Sequence, residues 1–195
     1  MSEREKKLAM LDELRRNIID NNICSNLAEQ ATQLVMGEGN VDAAIVLIGE
    51  APGKKEDERG VPFVGAAGKF LNEMLLRAGM ERNDVYITNI VKYRPPKNRD
   101  PSPEEKAAFL PYLLEQLRII QPSIVITLGR HSMEYFLPNA RISDVHGQVI
   151  QTEFQGQAMT VVPLYHPAAA LYNGSMRQVL IDDFVHIAMI LEKQG

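Results

Sequence analysis

Gly49-Glu50-Ala51-Pro52-Gly53-Lys54-Lys55-Glu56-Asp57, with Pro62-Phe63-Val64-Gly65 following, decides how the rest of the chain is read. The apolar run Ala43-Ala44-Ile45-Val46-Leu47-Ile48 leads into it. A segment with one apolar face, carried by Ala67, Phe70, Leu71, Met74, Leu75 and Ala78, leads out of it. The first pattern predicts a buried strand and the second a helix. The loop between them holds glycines, prolines, acids and an aromatic, and is too polar and too broken for a core. In a strand–loop–helix unit such a loop lies at the carboxyl end of the sheet, where open α/β folds place their ligands. The plainer reading is a Gly/Pro-rich surface connection. The density of special residues favours a site.

The same unit recurs along the chain. Residues 3–20 read as a helix with Leu11, Leu14 and Ile18 on one face, stopped by Asn21-Asn22. Gly37-Glu38-Gly39-Asn40 reads as a turn, residues 43–49 as the first strand, and residues 66–78 as a helix ended by Gly79. A second strand, Val85 to Val91, opens into the most basic loop of the chain, Lys92 to Pro101. Ser102-Pro103-Glu104-Glu105 is a capping box with proline at the first helical position. The helix it starts carries Leu110, Leu113, Leu114 and Leu117, and Pro111 should kink it. A third strand, Ser123 to Leu128, ends at Gly129-Arg130-His131-Ser132, and a short helix runs on to Phe136. Weak alternation over 145–158, with Gly156, predicts a hairpin. A fourth core strand, Thr160 to Leu164, ends at Tyr165-His166-Pro167-Ala168-Ala169-Ala170-Leu171. The last helix, 176–192, should bury Leu180, Phe184, Ile187, Ala188 and Leu191. Strands alternating with helices imply a parallel sheet covered on both faces. No repeat or linker divides residues 1–195, so a single domain is expected.

Bulk composition excludes several classes. At 195 residues, with 45% hydrophobic and 24% charged residues, the chain is long enough for one full core. No run of about 18 apolar residues is present, so no membrane partner is expected. Met1 to Lys7 lacks the apolar segment of a signal peptide, and a cytoplasmic address follows as the expectation. Cys24 is the one cysteine, which rules out an internal disulfide and a multi-cysteine metal site. The net charge of −4 means that a DNA partner would need a local basic surface.

Three strand ends carry unusual residues: Glu50 to Phe63, Asn89, and His166. Each has a bland reading alone: Asn89 as a turn former, His166 as a satisfied loop histidine, Phe63 as core, Glu56 and Asp57 as solvated acids or helix caps. In a parallel sheet all three ends meet on one edge, and the convergence outweighs any single residue. The chemistry of such a pocket can be stated. An aromatic face stacks on a planar ligand. An asparagine amide offers a donor and an acceptor side by side. A histidine stabilises charge developing on oxygen, and a carboxylate orients water or stabilises a cation. Together these describe a planar heterocycle held and displaced as an anion. Other motifs fail on detail. Lys54 stands where a P-loop needs glycine, the dinucleotide fingerprint is missing, and His131, His146, His166 and His186 show no metal spacing, so no metal is expected.

Gly49-Glu50-Ala51-Pro52-Gly53, with Glu56-Asp57, Gly60-Val61-Pro62-Phe63-Val64-Gly65 and Ala67-Gly68, resembles the first motif of the family 4 uracil-DNA glycosylases. Thr88-Asn89-Ile90-Val91-Lys92 with Arg94-Pro95-Pro96 and Asn98-Arg99 is similar to that family's second signature, and His166-Pro167-Ala168-Ala169-Ala170-Leu171 to its third. The likeness runs from about residue 22 to 192 in family order. It implies a three-layer α/β/α fold around a four-stranded parallel sheet, and excision of uracil from DNA. It also implies roles. Phe63 would stack on the flipped uracil. Asn89 would pair with its N3–H and O4. His166 would hydrogen-bond O2 as the anion leaves, and Glu56 would exclude the methyl group of thymine. Glu50 and the backbone of Ala51 would sit near the attacking water, and Leu171 would enter the duplex. Such extrusion is the general requirement for chemistry on a base. Lys92, Arg94, Lys97, Arg99, Arg130 and Arg177 would contact phosphates.

One departure is large. The family carries four cysteines holding a [4Fe–4S] cluster, and the aligned positions here are Asn22, Ser25, Tyr93 and Phe109, with Cys24 beside the second. No cluster is therefore expected. Tyr93 and Phe109 should pack together instead, with Asn22 and Ser25 meeting them through hydrogen bonds to Tyr93. The expected protein is a monomeric, metal-free enzyme whose partner is uracil-containing DNA. Two alternatives stand beside it: a non-catalytic module of the same fold that binds uracil-containing or damaged DNA, and an enzyme acting on a free nucleotide or nucleoside. Asn89 with His166 favours catalysis over binding, and the basic loop with Leu171 favours polymeric DNA.

Overall fold

The structure, a computed structural model, describes residues 1–192, with side chains as far as Ile190. The expected burial of Leu191 therefore lies outside the described residues' side chains.

Six strands form one sheet: β1 (Glu38–Gly39), β2 (Ile45–Gly49), β3 (Tyr86–Asn89), β4 (Ile124–Leu128), β5 (Ile150–Phe154) and β6 (Gln157–Leu164). Their order is β1-β3-β2-β4-β6-β5, with β3, β2, β4 and β6 parallel and β1 and β5 antiparallel at the edges. The expected four-stranded parallel sheet is thus only the middle of the observed one. The two edges explain the difference. The turn at Gly37–Asn40 doubles back on β3, pairing Glu38 with Ile87 and Gly39 with Tyr86. This needs glycine: at φ +124°, a Cβ on Gly39 would lie 2.1 Å from the Val85 carbonyl oxygen. At the other edge, Gln155 and Gly156 both take positive φ, the requirement of a tight hairpin turn. The return arm of that hairpin is β6 itself, so the expected hairpin and the expected fourth strand are one continuous structure.

Nine helices are described: α1 (Glu3–Asp20), α2 (Ser25–Ala28), α3 (Lys54–Arg59), α4 (Ala66–Arg77), α5 (Pro103–Ile120), α6 (Arg130–Phe136), α7 (Ile142–Val145), α8 (Ala169–Tyr172) and α9 (Gly174–Glu192). The capping box at Ser102 is formed, with Ser102 Oγ accepting from the Glu105 N–H at 3.2 Å and Glu105 accepting from the Ser102 N–H at 2.8 Å. α5 continues through Pro111.

Alternate strand residues face opposite layers, as the pleat requires. Val46, Ile48 and Val125 pack with Leu11 and Ile18 of α1 and Phe109, Leu113 and Leu117 of α5. Leu47, Ile87 and Ile126 pack with Phe70, Leu71 and Met74 of α4 and Leu180, Phe184 and Ile187 of α9. The result is three layers. No helix among the described residues is long and apolar enough to cross a membrane. Register sets the site: Gly49 lies opposite Asn89, and Leu128 opposite Leu164. Chain leaving these positions arrives on one edge of the sheet.

Candidate active site

That edge opens into a cavity of about 620 Å³ whose wall includes Glu50, Ala51, Glu56, Phe63, Asn89 and His166. The six residues expected to bind or act on the base are therefore brought together from three strand ends. Pro95, Asn98, Arg99, Asp100 and Tyr172 complete the rim. A smaller cavity of about 290 Å³ lies near the start of β4, and Arg118 is the single charged residue in its wall.

Two glycines make the pocket possible. A Cβ on Gly49 would fall 2.4 Å from Asn89 Oδ1 and 2.7 Å from the Phe63 ring. A Cβ on Gly68 would fall 1.8 Å from the Phe63 carbonyl oxygen. Phe63 itself has φ +52°, uncommon for a bulky side chain and a conformation the surroundings must impose. Arg82 helps to impose it, donating to the Phe63 carbonyl at 3.1 Å and to the Pro62 carbonyl, while pairing with Glu38 at 3.2 Å. Gly49 is in regular strand conformation, so Gly49→Ala is not opposed by the backbone. Its methyl would instead push Phe63 and Asn89 apart. The expected result is a folded protein whose activity in the pocket falls by about tenfold or more, consistent with the effect of small misplacements on catalytic geometry. Unchanged turnover with an unchanged melting temperature would contradict this packing.

Asn89 is 2% exposed, and its Oδ1 accepts no hydrogen bond among the described residues. A buried acceptor without a partner calls for an explanation, and a ligand N–H supplies one. His166 stacks near Phe63, with ring centroids 5.7 Å apart and planes inclined by 29°. Its Nδ1 accepts from the Ala168 N–H at 3.1 Å. That bond assigns the ring proton to Nε2 and leaves an N–H donor for the pocket. Burial pushes the imidazole down to about 4, against the pull of Glu56, so the ring is neutral at pH 7. Glu56 Oε1 accepts from the Val64 and Gly65 N–H groups, both at 2.9 Å, and so pins the loop that carries Phe63. Asp57 is buried and points away, accepting from Thr32 N–H and Oγ1 at 2.8 and 2.9 Å.

Burial holds the Glu50 carboxyl above the usual range; His131 works against this and Asp100 with it. His131 Nε2 lies 3.7 Å from Glu50 Oε2 and 3.4 Å from Asp100 Oδ2. Its Nδ1 is 3.4 Å from Lys106 Nζ.

The basic residues divide. Lys92 is fully buried, so the expectation that it contacts phosphate is corrected. Its side chain folds back along β3, the strand before it, where Nζ donates to Thr88 Oγ1 at 2.6 Å, to the Asn89 carbonyl at 2.7 Å and to Gln116 Oε1. Burial pushes its ammonium down to about 7, while three accepting oxygens favour the protonated form. Arg99 is at the rim but held by Glu105 at 2.6 and 2.8 Å. Arg177 pairs with Glu73 and lies 4.7 Å over the Phe70 ring. Arg94 donates to Asn98 at 2.7 Å, and Lys97 and Arg130 are exposed. Leu171 is 46% exposed and Tyr172, beside it on α8, is 90% exposed. No sequence signal marks Arg82, Asp100, His131 or Tyr172 as part of this site.

The four positions aligned with cluster cysteines offer no thiolate. Tyr93 and Phe109 meet edge to face, centroids 6.0 Å apart and planes at 62°. Neither Asn22 nor Ser25 hydrogen-bonds Tyr93 among the described residues, which corrects that part of the expectation; Asn22 is exposed, with φ +50°. Burial, with Glu105, pushes the Cys24 thiol up to about 11, so it stays protonated. These residues do not fit an iron–sulfur cluster.

Comparison with known proteins agrees with this geometry. Residues 36–187 match the family described as the Uracil DNA glycosylase superfamily. A type-4 uracil-DNA glycosylase from Archaeoglobus fulgidus is 44% identical over 189 residues, covering 94% of each chain. One from Saccharolobus solfataricus is 49% identical over 156 residues, covering 77% of this chain and 72% of the relative. One from Thermotoga maritima is 40% identical over 166 residues, covering 84% and 86%. The stretch matched contains the cavity's strand ends, its orphaned asparagine and its neutral histidine, and the chain belongs to the uracil DNA glycosylase superfamily.

Proposed function

We propose that the protein is a uracil-DNA glycosylase, which extrudes uracil from DNA and hydrolyses its N-glycosidic bond to give free uracil and an abasic site. The observation that carries this is the unpaired Asn89 Oδ1 beside the Phe63 face. Uracil presents an N–H to such an acceptor and a neighbouring carbonyl to the amide N–H₂. Water attacks the sugar carbon C1′ as the bond to uracil N1 breaks, and the bonding electrons leave with the ring. The His166 Nε2–H meets the charge that grows on O2. The Glu50 carboxylate, which burial makes more basic, orients the water and receives its proton. Glu56, fixed by Val64 and Gly65, crowds the edge of the ring where thymine carries its methyl. Lys97 and Arg130 contact phosphates, and Leu171 fills the gap in the base stack.

Incubation with uracil-containing DNA followed by alkaline cleavage tests the reading. Strand breaks at uracil are expected; tight binding without breaks would support the non-catalytic module instead. Asn89→Ala should remove the paired hydrogen bonds and cost about 1–3 kcal/mol, on the order of 10- to 100-fold in excision. Unchanged excision by the folded variant would remove Asn89 from recognition. The enzyme is further proposed to need no iron–sulfur cluster. The purified protein should be colourless, free of stoichiometric iron and fully active in chelator.

A further inference from the structure

Lys92 is a buried cation for which the reaction above has no use. Its ammonium has three N–H bonds and meets three oxygens, those of Thr88, Asn89 and Gln116. The support extends further: Gln116 Nε2 and Thr88 Oγ1 both donate to the Met36 carbonyl at 2.9 Å, and the Lys92 carbonyl accepts from the Val35 N–H at 2.8 Å. Among the described residues no carboxylate pairs with it, and only these neutral oxygens oppose the burial that disfavours its charge. Apolar side chains of similar volume fill such a site at lower cost than a lone charge. The fold nonetheless holds this charge against the main-chain oxygen of the residue whose amide reads the base.

We propose that Lys92 is a positioning residue of the uracil pocket: it fixes Asn89 from behind through the main-chain oxygen and sets an uncompensated buried positive charge behind a base that departs as an anion. The inference rests on the uracil reading of the site. Two consequences separate it from simple core packing. A charge that stabilises the departing anion matters less when the anion is intrinsically more stable. It also has no part in binding the DNA backbone.

The test compares single-turnover excision of uracil and of 5-fluorouracil, a more acidic leaving group, from otherwise identical DNA. Lys92→Met should slow uracil excision by about tenfold or more, and 5-fluorouracil excision by several-fold less, so that the ratio of the two rates rises. DNA affinity and its salt dependence should match the wild type, because no phosphate contact is lost. Gln116→Glu leaves an acceptor at the ammonium but neutralises its charge; it should raise the same ratio and gives the comparison if Lys92→Met fails to fold. Equal losses on both substrates, or no loss, would overturn the proposal while wild-type excision kept the uracil reading intact. A wild-type protein that cuts neither substrate would overturn the uracil reading itself.

Discussion

His166→Ala is expected to slow single-turnover excision by about 10²–10³-fold while leaving DNA binding nearly unchanged. A donor aimed at developing oxyanion charge in a dry site is worth roughly 2.7–4 kcal/mol at the transition state. The structure supplies the conditions for that value. The ring is desolvated, its Nδ1 is occupied by the Ala168 N–H, and its Nε2–H is left for the pocket. A neutral donor gains strength as charge grows on its partner, which favours the transition state over bound substrate. The pH dependence follows from the depressed pKa of about 4. Protonation would set an Nδ1–H against the Ala168 N–H, so the neutral ring is the competent form. The contribution of His166 should therefore stay constant as pH falls through the ordinary histidine range near 6.5 and decline only as pH approaches 4. The ratio of wild-type to His166→Ala rates should be flat from about pH 5.5 to 8. An inflection near 6.5, or equal small losses in binding and rate, would reduce His166 to a loop-positioning residue. Stability carries the opposite signature. The unfolded state binds a proton below its ordinary pKa and the folded state does not until about 4, so His166 lowers stability as pH falls across that window. The alanine variant should lose this acid sensitivity.

The centre of the sheet and the pocket were legible because they rest on local signals that topology then brings together. Apolar runs bounded by Gly and Pro mark β2, β3, β4 and β6, and parallel order sends Glu50, Asn89 and His166 to one edge. What escaped lacks such a signal. α3, Lys-Lys-Glu-Asp-Glu-Arg, is six polar residues with no apolar face, so no periodicity announces it. β1 is two residues long and exists through its pairing with β3. Lys92 belongs by sequence to a basic loop, where a lysine reads as solvated; only the chain's path shows it folding four residues back to Thr88. Arg82 acts on Phe63 from 19 positions away, a contact that nothing in either segment implies. His131 reaches Glu50 and Asp100 by the same route, across strand ends distant in sequence.

Phe109→Ala is expected to destabilise the protein by about 3–5 kcal/mol, the usual range for removing a fully buried phenylalanine. The position has unusual leverage. Phe109 lies on α5 and Tyr93 in the segment after β3, and the two meet edge to face. Leu11 and Ile18 of α1 and Leu27 of α2 belong to the same buried cluster, and Ile23 and Cys24 pack against it. Here side-chain packing joins the N-terminal segment, the loop after β3 and α5. Polar contacts add to it: Asn26 donates to Glu105 at 2.8 Å, and the Cys24 thiol approaches the Glu105 carbonyl at 3.8 Å. Arg99 holds Glu105 well below the usual carboxylate range, at about 2, which keeps that anchor charged at neutral pH. Truncating Phe109 removes the centre of the junction and leaves its rim, so the loss should spread to the elements joined there. α1 and α2 should become cleavable by protease at temperatures where the rest of the fold resists, and the melting temperature should fall. Phe63 of the pocket packs in the other core cluster, and neither Asn89 nor His166 belongs to the Phe109 cluster, so excision at low temperature should survive. If the N-terminal segment is indifferent to Phe109→Ala, the aromatic pair is not what secures it. If activity is lost in step with protease resistance, the junction and the pocket are one cooperative unit rather than two.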